Sequence, residues 1–275
     1  MKKFKIFSVF CVFMLVMFTG GNSLYAASNS ITITGSTTVL PIAQRAAEAF
    51  MDINEEISVS VRGGGSGVGI AALIDGRADI ADASRPIKTK EIKLAREKGI
   101  DPYANVVARD GIAVVVHPDN PVDSIGIEDL KKIYTGEIEN WKDLGGPNKA
   151  IVVISRDYSS GTFEVFKELV LEGAKVIDGA LMLASNKAVS TTISITPNSI
   201  GYIGLGYLSK EVKALKVDGV EATEETVKEG KYKLARPLFM YTNGEPTGII
   251  KTFIDFVFSP QGQEIAREVG YVPVK

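Results

Sequence analysis

The chain has 275 residues, with 31 basic and 33 acidic side chains, a net charge of −2, one histidine and one cysteine. Such a balance argues against a nucleic-acid partner. One histidine and one cysteine allow no disulfide and no thiolate metal centre, and a Ser-His-Asp triad would have to recruit that single histidine.

At the start, Lys2, Lys3 and Lys5 precede the apolar run 6–18, and Ser23-Leu24-Tyr25-Ala26 offers the small residues that a leader peptidase needs for cleavage after Ala26. Residues 1–26 therefore read as a signal peptide, the apolar run being short for a retained span. Cys11 lies inside that run, so the exported chain has no cysteine. Losing three lysines leaves 28 basic against 33 acidic residues, a net charge of −5. An acidic exported protein that binds anions must do so with local dipoles and hydrogen bonds, because its overall field repels them.

The mature chain alternates strand and helix patterns, which predicts α/β layers with largely parallel sheets. Ile31-Thr32-Ile33-Thr34 alternates like a strand and meets Gly35-Ser36-Thr37-Thr38. A helical pattern follows, with Pro41 in a first turn that needs no N–H from it. Residues 57–61 form a second alternating strand, leading through Arg62-Gly63-Gly64-Gly65-Ser66-Gly67 to a helix over 70–74. No lysine follows the glycines as in an NTPase phosphate loop. Val68 also breaks both the dinucleotide fingerprint and the nucleophile-elbow spacing.

Farther on, residues 111–116 form an apolar strand, closed by a turn that contains His117 and Pro118. Trp141 could serve as a sugar platform, but it reads better as packed beside Ile133 and Leu144. The apolar run 151–154 delivers Arg156 to Asp157-Tyr158-Ser159-Ser160-Gly161-Thr162, which opens another helical pattern. Residues 235–241 form a second apolar strand suited to cross between two lobes.

Three strand–loop–helix units thus place Ser or Thr, with Gly, at a helix start. The N–H groups of a first helical turn lack intrahelical partners and sit at the positive end of the helix dipole. Hydroxyls add donors, glycine admits an anion to the backbone, and arginine offers a planar fork. Any one unit reads equally well as an ordinary capped helix; three together favour a convergent site for a tetrahedral oxyanion.

Over nearly the whole mature chain these residues resemble the phosphate-binding proteins of bacterial Pst-type ABC transporters. The resemblance rests on Gly35-Ser36-Thr37-Thr38, Gly64-Gly65-Ser66-Gly67, Ala83-Ser84-Arg85, Asp110-Gly111-Ile112-Ala113, Arg156 with Ser160-Gly161-Thr162, and Asn198-Ser199-Ile200-Gly201-Tyr202. It implies the two-lobed periplasmic binding protein fold of class II, with a cleft between lobes joined by two crossing strands. The implied lobes are 27–110 plus 237–275, and 111–236.

The family's anion ligands fall on Thr37, Ser66, Arg156, Ser160, Gly161 and Thr162. Ser36 and Thr38 join them on chemical grounds, and Arg85 is expected nearby. Longer family members place an aspartate, which accepts phosphate's proton, where this chain has Ser84, as in a shorter branch. Asp110 is the expected substitute and Asp82 the alternative. The implied function is capture of inorganic phosphate and its delivery to a membrane-embedded ABC permease. The protein would be an exported monomer acting in the periplasm or outside the cytoplasmic membrane, with no cofactor, no metal and no enzymatic activity. Sulfate or molybdate binding on the same fold is the near alternative, and an exported phosphatase a remote one.

Overall fold

The computed structural model describes residues 29–275; the expected leader, with Cys11, lies outside the described residues. Strand β1 (Ser30–Gly35) leads to α1 (Leu40–Met51), β2 (Ser58–Gly63) to α2 (Ser66–Ile74), and β3 (Ile80–Ala83) to α3 (Thr89–Glu97). The long strand β4 (Pro102–Val116) carries the chain into a second half. That half comprises β5 (Ser124–Ile125), α4 (Ile127–Thr135), β6 (Val152–Arg156), α5 (Gly161–Leu169), β7 (Leu181–Leu183) and α6 (Asn186–Ile195). It continues with β8 (Ser199–Gly204), β9 (Lys213–Ala214), β10 (Lys216–Val217) and α7 (Glu224–Lys228). Strand β11 (Ala235–Asn243) returns to the first half, which α8 (Gly248–Phe258) and α9 (Pro260–Glu268) complete.

Within each half the sheet is parallel: β1 lies between β2 and β3, and β6 between β7 and β8. The joining strands are antiparallel, a departure from the expectation of largely parallel sheets. The reason is topological, because the chain leaves on β4 and must return on β11 beside it. Strand β4 pairs with β11 as far as Gly111 and with β8 from Ile112, so one continuous strand changes partner between the halves.

Two sets of apolar side chains fill the halves. Ile31, Ile33 and Ile80 face a cluster with Phe50, Phe253 and Val257, whereas Ala81 and Ala83 face the other side of the sheet, with Leu73 and Phe239. The period of two along β3 explains this division. The second half is built around Val114, Tyr134, Trp141, Phe166 and Tyr202. Trp141 is fully buried in the same cluster as Ile133 and Leu144, and its Nε1 donates to Asn198 O at 2.8 Å. That is a core role, as its sequence setting suggests. His117 lies in a turn, where its Nδ1 accepts the Asp119 N–H at 3.2 Å.

The C-terminal tail belongs to both halves. Tyr271 packs in the first cluster and Val272 in the second, while Val272 and Arg109 exchange backbone hydrogen bonds of 2.8 and 2.9 Å.

Candidate functional site

The three expected helix starts converge where the two halves meet. In the first, Ser36 N–H donates to Asp82 O at 2.8 Å, and Ser36 Oγ accepts the N–H groups of Thr38 and Val39 at 3.1 and 3.4 Å. Ser36 thus satisfies donors ahead of α1, leaving Thr37 and Thr38 to present hydroxyls. Both are buried, at 6% and 1% exposure.

The glycine loop has a structural reason beyond anion access. Gly65 sits at φ +95°, a region that favours glycine, and a Cβ there would collide with Ser159 of the opposite half. Gly67 N–H donates to Ser159 O at 2.9 Å, and Ser159 Oγ donates to Gly64 O at 3.1 Å. The bare backbone lets the halves touch. Helix α2 starts at Ser66, four residues earlier than the apolar pattern suggests, which places Ser66 in its first turn with no exposed surface.

Across the interface, β6 ends at Arg156. Its Nε donates to Leu183 O at 3.1 Å, and its Nη2 lies 2.9 Å from Ala184 O and 3.2 Å from Thr37 Oγ1. Arg156 Nη1 is buried with no protein partner. Burial pulls the guanidinium pKa down to about 10, so it stays charged at neutral pH. Ser160 caps α5 by accepting the Phe163 N–H at 3.2 Å. Gly161 faces Ser66 and Ser84, where any Cβ would strike Ser66 Oγ. Thr162 Oγ1 lies 3.1 Å from Thr38 Oγ1. Ser84 N–H donates to Ser66 Oγ at 3.0 Å, and the two hydroxyls are 3.3 Å apart.

Two expected members have other engagements. Arg85 directs Nη1 and Nη2 to the two oxygens of Glu91, each at 2.8 Å, and its Nε lies 3.0 Å from Glu164 Oε2. Its guanidinium is held by carboxylates and leaves the hydroxyl group to Arg156, because α3 and α5 bring acids to the rim of the interface. Asp110 accepts the Leu205 N–H on Oδ1 at 2.9 Å, and Arg236 Nε and Nη2 on Oδ2 at 3.0 and 2.8 Å. Both of its oxygens are therefore occupied. The Asp82 carboxyl is buried with neither oxygen partnered, and desolvation raises its pKa well above the ordinary carboxylate range.

Three further residues were missed in the sequence. Asn186, in the first turn of α6, donates Nδ2 to Thr37 Oγ1 at 3.1 Å and to Thr38 Oγ1 at 3.0 Å. Arg236 reaches Thr38 Oγ1 at 3.3 Å and Ser84 O at 3.2 Å. Tyr207 donates its hydroxyl to Thr37 O at 2.5 Å. Only Arg236 left a usable signal, as a charge within an otherwise apolar strand. Asn186 follows Ser185, which already caps α6, so it looks like any polar residue at a helix start.

The arrangement is a buried ring of hydroxyls, first-turn amides and one open guanidinium nitrogen. Residues 23–261 match the model of the PBP superfamily domain. A Bacillus subtilis phosphate-binding protein PstS is 39% identical over 253 residues, covering 90% of this chain and 82% of that one. The Borreliella burgdorferi PstS is 34% identical, covering 96% and 99%. The chain belongs to the PstS family of phosphate-binding proteins. Among solved structures, a phosphate ABC transporter substrate-binding protein from Clostridium perfringens, with bound phosphate, superposes with a TM-score of 0.83 at 37% identity. That match covers 90% of this chain and all of the other. A phosphate transport receptor from Vibrio cholerae gives 0.73 at 33% identity, covering 88% and 99%. The expected α/β two-lobed fold agrees with these neighbours.

Proposed function

We propose that this protein captures inorganic phosphate outside the cytoplasmic membrane and hands it to an ABC permease. The observation that carries the reading is the unpartnered, buried Nη1 of Arg156, whose Nη2 contacts Thr37, at the junction of the halves that also buries Ser66, Ser160, Gly161 and Thr162. A buried cationic N–H without an acceptor is costly, and a tetrahedral oxyanion supplies acceptors to it and to the surrounding hydroxyls together. Each charge-assisted hydrogen bond contributes roughly 1.5–3 kcal/mol, so a few suffice for micromolar capture at about 8 kcal/mol. No cofactor is required. The reading is of a binding protein that does no chemistry on its ligand and acts as an exported monomer. Among the described residues no helix is long and apolar enough to cross a membrane.

Thr38, Ser66, Arg156, Ser160 and Thr162 are each at most 1% exposed, so an anion can enter only if the halves part. The lobes 27–110 plus 237–275, and 111–236, would move about the crossing strands β4 and β11. Calorimetric titration with phosphate, sulfate and molybdate tests the reading, with a phosphate ester offered in parallel for turnover. Strong heat with phosphate alone is expected. A preference for sulfate or molybdate, or release of phosphate from the ester, overturns it. Phosphate should also reduce the radius of gyration in solution scattering of a ligand-stripped sample, without a change in mass.

A further inference from the structure

The hydrogen bonds around Asn186 set which hydroxyls on the threonine side of the site donate. Its Oδ1 accepts the backbone N–H of Gly204 at 3.2 Å. A backbone N–H can only donate, so the amide orientation is determined and Nδ2 must face the threonines. Nδ2 has two protons and two neighbours, Thr37 Oγ1 and Thr38 Oγ1.

A hydroxyl has one proton and two lone pairs. Thr37 Oγ1 accepts from Asn186 Nδ2 and Arg156 Nη2, which fills both lone pairs and leaves only its proton to offer. Thr38 Oγ1 accepts from Asn186 Nδ2 and Arg236 Nη2, so in its contact with Thr162 Oγ1 it must be the donor. Thr162, having accepted once, keeps its proton and one lone pair. On the opposite side, Ser66 Oγ and Ser84 Oγ share one contact, and Ser66 accepts the Ser84 N–H. Whichever serine donates to the other, the pair keeps one spare proton and two spare lone pairs. Thr37 can therefore only donate to the anion, whereas Thr162 and the serine pair each keep a lone pair as well.

We propose that Asn186 is a positioning residue that turns the hydroxyl protons of Thr37 and Thr162 toward the anion, so that the site takes the doubly charged form of phosphate, with its single proton accepted by the Ser66–Ser84 pair. This deepens the phosphate reading and rests on it. Singly charged phosphate carries a second proton, which Thr37 has no lone pair to accept.

The charged and titratable groups around this network are Arg156 on β6 with Asp157 beside it, Arg236 on β11, Asp110 on β4, Asp82 on β3 two residues before Ser84, Tyr202 on β8 and Tyr207 after it. The Asp82 carboxyl, raised by desolvation, is common to every variant and so does not enter the comparison of their slopes. The tyrosines are pushed up to about 12 by burial, and Arg156 sits at about 10. None of these three titrates near neutral pH. Asp110, raised by burial and paired with Arg236, is common to every variant and drops out of the comparison.

The experiment is calorimetric titration of inorganic phosphate into the full exported chain at pH values of about 6, 7 and 8, spanning the second ionisation of phosphate. Melting without phosphate checks that each variant folds. Wild-type affinity for total phosphate should rise with pH. Asn186→Leu frees the threonine hydroxyls to rotate; it should bind about tenfold more weakly at the highest pH and show a flatter slope. Asn186→Asp offers acceptors to Thr37 and Thr38, turning their protons away from the anion. Its slope should reverse, with affinity recovering toward low pH as the introduced carboxyl gains a proton. Thr38→Val interrupts the relay to Thr162 while keeping the Asn186 bonds to Thr37 and Gly204, and should flatten the slope even if neither Asn186 variant folds. Equal slopes in wild type and all folded variants would reduce Asn186 to a packing role and overturn the proposal, as would a wild-type affinity that does not rise with pH. Wild type that gives no heat with phosphate removes the functional reading itself, a distinct outcome.

Discussion

Arg236 donates both Nε and Nη2 to a single oxygen of Asp110, joining the two strands that cross between the halves at a point where the residues stand in register. The pair is almost wholly buried, at 2% and 0% side-chain exposure. Removing one member leaves the other charged, or forced to neutralise, in a dry environment. Arg236→Met is expected to lower unfolding free energy by about 3–5 kcal/mol in urea denaturation. The double variant Asp110→Asn/Arg236→Met should lose less than Arg236→Met alone. A larger loss in the double variant would mean that the pair contributes through its packing and not its charge.

Arg156→Lys keeps the charge but cannot reproduce the fork that spans Leu183 O, Ala184 O, Thr37 Oγ1 and the open nitrogen. Phosphate affinity should fall at least tenfold in calorimetric titration, because losing even one charge-assisted bond exceeds 1 kcal/mol. An affinity within about twofold of wild type would place Arg156 outside the anion's reach.

Asp82 gives a pH-dependent expectation. Desolvation raises its carboxyl pKa in the folded chain, so the folded state holds a proton that the unfolded state releases once pH exceeds the ordinary carboxylate range. Its contribution to stability is therefore full in acid and is lost as pH rises toward the folded-state value. Asp82→Asn, which resembles the protonated acid, should be near neutral for stability at about pH 4 and stabilising at about pH 8. Urea midpoints at the two values check the sign; a gain confined to acid would contradict it.

Glu164 on α5 takes contacts from Arg85 Nε and Lys88 Nζ at 3.0 and 2.5 Å, tying one half to the other beside the site. Lys88 is 39% exposed and salt can reach it, so the effect should be modest. Glu164→Gln should speed phosphate dissociation about three- to tenfold in stopped-flow measurements and reduce its dependence on ionic strength. An unchanged dissociation rate would show that this ion-pair cluster takes no part in holding the halves together.

Much of this was legible in the sequence because it is local. The Ser160-Gly161-Thr162 start follows from a cap before an apolar pattern, and Arg156 from the end of an apolar run. The crossings were visible as apolar strands, although the first nine residues of β4 were not, because that stretch mixes exposed and buried positions on a strand with one open face. Arg85 and Asp110 could be singled out as charges, but their partners were not readable. Glu164 lies 79 positions from Arg85, and Arg236 lies 126 from Asp110. No periodicity carries a pairing over that distance. Asn186 escaped for the same reason: its meaning lies in two hydroxyls more than 140 positions away.

The tail that joins both apolar clusters has a practical meaning for anyone handling the molecule. Val272 is bonded to Arg109 on the crossing strand. A fluorophore attached beside Val272 would lie against the strand that crosses between the halves, a place suited to a biosensor of the proposed closure. A surface tether at the same place would load the crossing strand that the proposed closure needs free.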